Sequence, residues 1–223
     1  AVMYDLGMRP NFYMDVSGGG SSTEALVGLA MGAIEGGMCD TVAIYRSMNG
    51  YSEVRIGGTG ARAAAPVSGA EVMKRPYGQA SALQIFAFTF PRHMMEYGVT
   101  SEHLAQIKVT HSNHASNNPK ALMKQRVTVE DVVNSRWIVR PCAHLLDCCL
   151  ETDNATCIIV TSAERAGDLR HRRAYIMAVQ GRGTKPGGDF HYQHGPISRV
   201  AGHYVGPRLF AQAGVKHEDI DVT

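Results

Sequence analysis

Long apolar runs and a strong excess of charge are both missing from the sequence. No apolar stretch in the 223 residues approaches the roughly 18–20 residues of a membrane-spanning helix, so we expect no integral membrane segment. The formal net charge of +2 is too small to favour nucleic acid or an anionic membrane as a partner. Low-complexity tracts are absent too, and the chain is long enough for one large or two small domains with a buried core.

Paired cysteine motifs are also lacking. The five cysteines are an odd number, none forms a Cys-x-x-Cys pair, and the adjacent Cys148 and Cys149 lie in an otherwise apolar segment. Disulfides persist in oxidising compartments, whereas free thiols are typical of a reducing cytosol. The sequence therefore predicts buried free thiols and a cytoplasmic protein.

The two ends lack the features of a complete chain. Ala1 is not an initiator methionine, and residues 218–223 have the pattern of a strand that is only beginning. We expect an interior portion of a longer polypeptide, or the ordered part of one.

What the sequence does contain is a glycine triplet after a β-prone run. Residues 12–16 predict a strand, and Gly18, Gly19 and Gly20 follow it before a helical pattern begins. A strand, a glycine turn and a helix N-terminus make a site whose unsatisfied N–H groups and helix dipole favour negative charge. The alternative interpretation is a turn without a functional role.

The helix after the triplet has clear start and stop patterns. Ser21 and Glu24 have capping-box spacing, so the Ser21 hydroxyl can accept a first-turn N–H while Glu24 reaches back. Apolar residues then recur at helical spacing as far as Gly36 and Gly37, which predict the end of the helix.

Further apolar patterns predict alternating helices and strands. Residues 41–45 have the pattern of a short buried strand, so the opening order of strand, helix and strand favours a right-handed crossover and a parallel sheet. Pro91 interrupts a long helical pattern and is expected to kink or break it. The other predicted helices span residues 79–96, 101–112, 127–133, 163–170 and 197–214, and the other predicted strands span residues 156–161, 174–179 and 220–222.

Four segments carry motifs that are specific in combination. They are HASNNPK at residues 114–120, NSRW at 134–137, LLDCCLETDNA at 145–155 and AQAGVKHEDID at 211–221. Together with the opening strand, glycine turn and helix, they resemble the thiolase superfamily and, within it, the sterol-carrier and lipid-transfer thiolase-like proteins.

The resemblance implies a five-layered α/β/α/β/α fold of two similar halves, with a helical loop domain inserted in the first half. On that map residues 1–50 and 151–170 belong to the N-terminal half, 51–150 to the inserted loop domain, and 171–223 open the C-terminal half. The acid–base asparagine, histidine and second cysteine of thiolases, and the paired tyrosines of the aldolase branch, would follow Thr223.

The resemblance also implies a nucleophilic cysteine at the helix N-terminus, where the dipole lowers the thiol pKa. That position is Gly20, within one residue, and Cys39 lies beyond the far end of the helix. Without a thiolate no acyl-enzyme forms by that route. The aldolase branch is therefore indicated, with retro-aldol cleavage of a β-hydroxyacyl-CoA that carries a bulky acyl group such as a steroid side chain. The backbone N–H groups of Gly18, Gly19, Gly20 and Ser21 remain as candidate donors to the enolate.

Five residues are implied, by family position, as contacts of the coenzyme A thioester. Tyr77 and Gly78 should approach the pantetheine arm, and Cys149 stands where thiolases place a pantetheine-contacting serine. For Cys149 the alternative is a small buried hydrophobe. His114 and Asn118 are either ligand contacts or residues that cap a helix and position the loop after it. No covalently bound cofactor is implied.

Other polar residues have simpler interpretations. Asp153 is expected to fix the turn before the strand at residues 156–161 rather than to touch substrate. His191 and His194 have a loose metal-like spacing, but catalytic zinc takes three protein ligands, so we predict no metal site. Four cations either hold the phosphates of coenzyme A or form a solvated face: Arg55, Arg62, Lys74 and Arg75.

Two other functions stay open at this stage. A non-catalytic acyl-CoA or lipid-binding protein on a thiolase scaffold also explains the missing cysteine. An acyltransferase thiolase would need a relocated nucleophile such as Cys148 or Cys149. The resemblance implies a homodimer and, for the aldolase branch, a small OB-fold partner that binds acyl-CoA.

Overall fold

The computed structural model describes residues 2–16, 20, 22–52, 69, 72–73, 75–78, 82–180, 196–199 and 201–222. The chain divides into two compact units. The first unit comprises Ala1–Ser47, Asn154–Gly188 and Arg199–Thr223, and the second comprises Met48–Asp153 and Asp189–Ser198.

The described residues form a mixture of helices and short strands, in agreement with the α/β class. The helices are α1 Val2–Asp5, α2 Ser22–Glu35, α3 Ala82–Tyr97, α4 Ser101–Ser116, α5 Val129–Val133, α6 Ala163–Ala166 and α7 Ala201–Ala213. The strands are β1 Thr41–Asn49, β2 Trp137–Val139, β3 Ala143–His144 and β4 Asp153–Thr161. Three single-turn 3-10 helices span Arg75–Tyr77, Leu145–Asp147 and His217–Asp219.

The helix predicted after the glycine triplet is confirmed as α2. Its small residues Ala30 and Ala33 are buried, and Ala30 packs in a core cluster with Ile44 of β1 and Val160 of β4. The helix ends as predicted, with Gly37 at a φ of +68° just beyond it, a conformation that glycine adopts without strain. Short side chains therefore let α2 lie close to the strands.

Strands β1 and β4 are hydrogen-bonded neighbours and run antiparallel. At one end the hydroxyl oxygens of Thr41 and Thr161 lie 2.9 Å apart. At the other end the Asp153 carboxylate accepts hydrogen bonds from the backbone N–H groups of Tyr51 and Ser52, at 2.8 and 3.0 Å. The start of each strand therefore lies beside the end of the other, which only an antiparallel pair allows.

The predicted strands at residues 12–16, 174–179 and 220–222 are wrong, because all three segments are irregular. The parallel strand–helix–strand unit is consequently absent from the described residues. A β-prone run becomes a strand only where a neighbouring strand takes up its hydrogen bonds. In the second of these segments Tyr175 and Met177 are 63% and 62% exposed, so its apolar character alone does not make a strand.

The boundaries of several helices also differ from the prediction. Helix α4 continues to Ser116, one turn beyond the predicted end, while α6 stops at Ala166. Helix α7 ends at Ala213, and Gly214 follows it with a φ of +70°, which confirms the predicted glycine stop.

Pro91 does not break α3, which runs without interruption from Ala82 to Tyr97. Proline has no N–H, so the carbonyl oxygen of Ala87, four residues earlier, loses its helical donor. The buried Cys142 thiol donates to that oxygen, with Sγ and O 4.0 Å apart. Burial also raises the pKa of Cys142, so the thiol form that can donate is favoured.

The second unit contains a short antiparallel hairpin formed by β2 and β3. Trp137 pairs with His144 and Val139 with Ala143. Helix α5 is held at its start by Thr128, whose hydroxyl accepts the N–H of Asp131 at 3.1 Å, while the Asp131 carboxylate accepts the N–H of Thr128 at 2.8 Å. Together these two bonds form a capping box.

Within the described part of the chain, no helix is both long enough and apolar enough to cross a membrane.

The Cys142 contact makes a stability prediction. In Pro91→Ala, the new N–H at position 91 can donate to the carbonyl of Ala87, which then has a backbone donor besides Cys142. We expect Cys142→Ala to cost about 1 kcal/mol more in the wild-type background than in Pro91→Ala. Urea unfolding of the four proteins of this double-mutant cycle measures the difference. Strict additivity of the two substitutions would contradict the assigned hydrogen bond.

The capping box of α5 makes a prediction about acid. Hydrogen bonds from the Thr128 backbone N–H and hydroxyl lower the pKa of Asp131. Its stabilising effect is therefore complete above the ordinary carboxyl pKa of about 3.9 and is lost as pH falls through the lower folded-state value. We expect Asp131→Asn to destabilise at neutral pH and much less in acid, where the wild type has lost the same interaction.

Trp137, the sole tryptophan, reports unfolding of this unit by fluorescence. Glu130→Gln is a matched control, because it removes an exposed carboxylate from the same turn without removing the cap. A difference between wild type and Asp131→Asn that stays constant down to acid pH would contradict the prediction.

Candidate functional site

Gly20 lies in an exposed turn directly before α2 begins at Ser22. A Cβ added to Gly20 would meet nothing within 4 Å, and its φ is outside the left-handed region that requires glycine. The backbone at this position therefore has room for a side chain that the sequence does not supply. Gly18, Gly19 and Ser21 lie outside the described residues.

A cleft of about 810 Å³ lies beside α2 in the first unit. Its walls are residues 2–16, the Leu26 side of α2 and the beginning of β1. On one wall the hydroxyl of Tyr13 donates to the Asp15 carboxylate, and this hydrogen bond raises the pKa of Tyr13. The cleft is thus lined by both apolar and polar side chains, and the polar ones include the hydrogen-bonded pair of Tyr13 and Asp15.

Tyr77 and Gly78 form the end of the single-turn helix Arg75–Tyr77. Tyr77 is 81% exposed. Gly78 has a φ of +83°, and its N–H donates to the carbonyl of Arg75 at 2.9 Å. The turn therefore needs glycine at position 78 and presents the tyrosine ring to solvent.

His114 and Asn118 lie at the C-terminal end of α4. The Asn118 side-chain oxygen accepts the N–H of Lys120 at 3.0 Å, and the Asn118 backbone N–H donates to Ala115 at 3.0 Å. The neighbouring Asn117 caps the helix. These bonds show that the asparagines shape the turn after α4, while the His114 side chain is exposed on the last turn.

All five cysteines are free, as predicted, but their burial is not uniform. Cys142 is buried, whereas Cys149 is exposed, so the alternative of a buried hydrophobe at 149 is wrong. Burial, followed by the negative charges of Asp147 and Cys149, raises the pKa of Cys148, and Arg136 only partly opposes this. Cys148 is therefore a poor source of thiolate.

His144 is a buried residue that the motif analysis missed. It is 2% exposed, and its ring packs on Trp137 with centroids 3.6 Å apart and planes at 32°. Its Nδ1 lies 3.4 Å from a carboxylate oxygen of Asp147. The spacing of His144 and Asp147, three residues apart at a helix start, is the capping pattern that would have identified this pair.

The carboxylate of Asp153, the first residue of β4, holds the turn after β1 at Tyr51 and Ser52, whereas the prediction placed its role in the turn before residues 156–161. In the same place, a Cβ on Gly50 would lie 2.9 Å from the carbonyl oxygen of Thr152. The two chain segments therefore approach closely only because residue 50 is glycine.

The predicted site residues fall in both units. Gly20 belongs to the first unit, and the second contains the predicted coenzyme A contacts: Tyr77, Gly78, His114, Asn118 and Cys149. Among the residues that the structure describes, no three His, Cys, Asp or Glu side chains gather as metal ligands. His191 and His194 lie outside the described residues.

The sequence is similar to several curated enzymes, although no protein-family model matches it. A steroid side-chain-cleaving aldolase of Thermomonospora curvata is 39% identical over 215 residues, which is 94% of this chain and 55% of that protein. A 17-hydroxy-3-oxo-4-pregnene-20-carboxyl-CoA lyase of Mycobacterium tuberculosis is 34% identical over the same shares, 94% and 55%. An acetyl-CoA acetyltransferase of Methanothermobacter thermautotrophicus is 40% identical over 101 residues, 45% of this chain and 26% of that protein.

The fold has a solved counterpart. An Ltp2-ChsH2(DUF35) aldolase matches with a TM-score of 0.84 at 36% identity, over 98% of this chain and 56% of that one. The chain thus spans about half the length of the curated relatives it matches, 55% of each of the first two.

Sequence and fold together define the class: the chain belongs to the thiolase superfamily. Within the superfamily it resembles the sterol-carrier and lipid-transfer branch, on the side of the steroid side-chain aldolases. The family predicted from the four motifs is confirmed.

Proposed function

We propose that the protein to which this chain belongs is a carbon–carbon lyase that cleaves a β-hydroxyacyl-CoA by retro-aldol chemistry. The observation that carries the proposal is Gly20, an open position at the start of α2 without the thiol that an acyltransferase needs there. Relatives named as an aldolase and a CoA lyase match 94% of the chain. Their names also favour a steroid side chain as the bulky acyl group.

The reaction needs a base, an enolate site and no covalent nucleophile. The base removes the proton of the β-hydroxyl, the bond between the α- and β-carbons breaks, and its electron pair enters the thioester enolate. The β-carbon leaves as an aldehyde or ketone, and protonation of the enolate at the α-carbon releases the shorter acyl-CoA. We assign the enolate oxygen to backbone N–H groups at the glycine turn, where the dipole of α2 favours negative charge.

We assign the pantetheine arm of coenzyme A to residues of the second unit. Cys149 and Tyr77 are exposed and therefore accessible to a ligand. Gly78 lies beside Tyr77 in a turn that is closed by the hydrogen bond from its backbone N–H to the carbonyl of Arg75. His114 and Asn118 lie together at the end of α4. Because the Asn118 side chain already accepts the N–H of Lys120, we assign Asn118 to shaping the loop after α4. We assign the contact with the ligand in this region to His114.

The finer architecture is part of the same proposal. We propose a five-layered thiolase fold in which residues 51–150 are the inserted loop domain and residues 1–50 with 151–170 belong to the N-terminal half. Residues 171–223 would open the C-terminal half. The compact unit that contains Met48–Asp153 supports the bounds of the inserted domain. We also propose a homodimer. In addition we propose a small OB-fold partner, and the two-component name of the solved aldolase supports the presence of a partner.

A relocated nucleophile is the less favoured function. Cys148 has a raised pKa and its thiol already donates to the carbonyl of His144, with Sγ and O 3.5 Å apart. Cys142 donates to Ala87 and is buried. Two of the three thiols near the family motifs are therefore committed to structural hydrogen bonds.

A turnover assay tests the reaction. The full-length protein with its OB-fold partner is incubated with a steroid β-hydroxyacyl-CoA, and both the carbonyl product and the shorter acyl-CoA are measured. We expect equal amounts of the two products and no acyl group on the protein, since the route has no covalent intermediate. Binding of the thioester without either product would instead favour the non-catalytic lipid-binding protein, and a thioester adduct on Cys148 or Cys149 would favour the acyltransferase.

A pair of matched substitutions tests the position of the thioester. Gly20 and Gly32 both have open space where a Cβ would stand, but only Gly20 lies before the first turn of α2. A thiol there should have a lowered pKa. We expect Gly20→Cys to acquire an acetyl group from acetyl-CoA, detected by mass spectrometry. Gly32→Cys and the wild type should not be modified.

Equal modification of the two cysteine variants, or none in Gly20→Cys, would contradict the placement of the thioester at the N-terminus of α2. Circular dichroism of both variants checks that the helix is retained.

A further inference from the structure

Several hydrogen bonds and a ring contact hold the short chain segment that leads into Cys149. It is the single-turn helix Leu145–Asp147, followed by Cys148 and then the exposed Cys149. Four side chains secure it, and we call them the clamp: Ser135, Trp137, His144 and Asp147. The clamp lies within the second unit, so its geometry is local.

The first part of the clamp is a capping box. The Asp147 carboxylate accepts the backbone N–H of His144 at 2.7 Å. The same carboxylate oxygen lies 3.4 Å from Nδ1 of the His144 ring, and the side chains are only 14% and 2% exposed. A partly buried carboxylate is therefore paired with both the backbone and the ring of one residue, which holds the residue in a single orientation.

The second part is aromatic. The His144 ring is fully buried against Trp137, with ring centroids 3.6 Å apart. Trp137 is fixed in turn by the pairing of β2 with β3. The histidine consequently cannot change rotamer without opening this packing.

The third part ties the turn to the end of α5. The N–H of Leu145 donates to the carbonyl of Arg136 at 2.8 Å, and the N–H of Leu146 donates to the Ser135 hydroxyl oxygen at 3.4 Å. The Ser135 hydroxyl itself donates to the carbonyl of Val132 at 2.7 Å, and Val132 is completely buried. The turn is therefore anchored in the core of the second unit.

The anchoring continues as far as the residue before Cys149. The N–H of Cys148 donates to the carbonyl of Leu145 at 3.2 Å, and its thiol donates to the carbonyl of His144 at 3.5 Å. Cys149 is thus the first exposed thiol after a fully bonded turn. Ordering the backbone before a ligand arrives removes part of the entropy cost of binding.

We propose that Asp147, acting through His144, is a positioning residue for the coenzyme A thioester. It holds the main chain at Cys149 where the pantetheine arm is to be received. The inference rests on the proposed function, which places Cys149 against that arm. Asp147 does not touch the reacting atoms and takes no part in proton transfer.

The chain offers two matched controls, because the same capping box occurs twice elsewhere. Asp131 accepts the N–H of Thr128 at 2.8 Å, and Asp219 accepts the N–H of Lys216 at 2.8 Å. Each is an aspartate three residues after its partner, as Asp147 is. If losing a capping box is by itself enough to weaken acetyl-CoA binding, the affinity should fall equally in Asp147→Asn, Asp131→Asn and Asp219→Asn.

The test measures the dissociation constant of acetyl-CoA by calorimetry with the full-length protein and its partner. We expect Asp147→Asn to raise the constant about tenfold, since a displaced contact segment loses its preorganisation. Asp131→Asn and Asp219→Asn should lower the melting temperature about as much as Asp147→Asn does, but they should leave the dissociation constant within about twofold of wild type. In turnover, Asp147→Asn should raise KM and leave kcat unchanged.

An unchanged dissociation constant in Asp147→Asn, or an equal rise in Asp131→Asn, would overturn the inference. If Asp147→Asn does not fold, Ser135→Ala carries the test, because it leaves His144 and Asp147 in place and removes the tie to Leu146 together with the hydroxyl's own bond to Val132. This variant should raise the constant about threefold. No rise in folded Ser135→Ala would then overturn the inference.

The proposed function fails separately. A wild-type protein that binds acetyl-CoA but releases no carbonyl product from a β-hydroxyacyl-CoA contradicts the lyase, while the comparison of dissociation constants still decides the role of Asp147.

Discussion

The antiparallel pairing of β1 with β4 is the constraint on which the rest of the structure depends. It joins residues that are 120 positions apart, as in the contact between the hydroxyls of Thr41 and Thr161. Closing so long a loop is costly in entropy. The paired strands form a surface on which Ile44 and Val160 together bury Ala30 of α2, and this burial offsets part of that cost. The orientation of α2 follows from that packing, and with it the position of the glycine turn at its start.

The distribution of thiols gives the site its chemical character. Cys142 supplies the donor that Pro91 denies to Ala87, and Cys148 donates within its own turn. Burial raises the pKa of both. Two thiols therefore act as structural donors, and Gly20, the position that we assign to the family nucleophile, carries no thiol. The same pattern agrees with a reaction that passes through an enolate and not through an acyl-enzyme.

Much of the local structure was predictable from the sequence. The apolar spacing of α2 and its glycine stop identified the helix and its end, because each depends on residues within a few positions. The predicted strands at 12–16 and 174–179 failed because strand formation depends on a partner. Of the kink or break expected at Pro91, the break does not occur: α3 runs on to Tyr97, and the carbonyl of Ala87, which loses its helical donor, accepts the Cys142 thiol 55 residues away in sequence.

The sequence by itself determined the family, the helix after the glycine turn and the absence of a cysteine at its start. All three depend on residue identity and short spacings. Only the tertiary structure decided that β1 pairs antiparallel with β4, that Cys149 is exposed, and that His144 is buried between Trp137 and Asp147. The physical reason is that strand hydrogen bonds and ring packing join groups whose partners are chosen in space, and local propensity does not specify that choice.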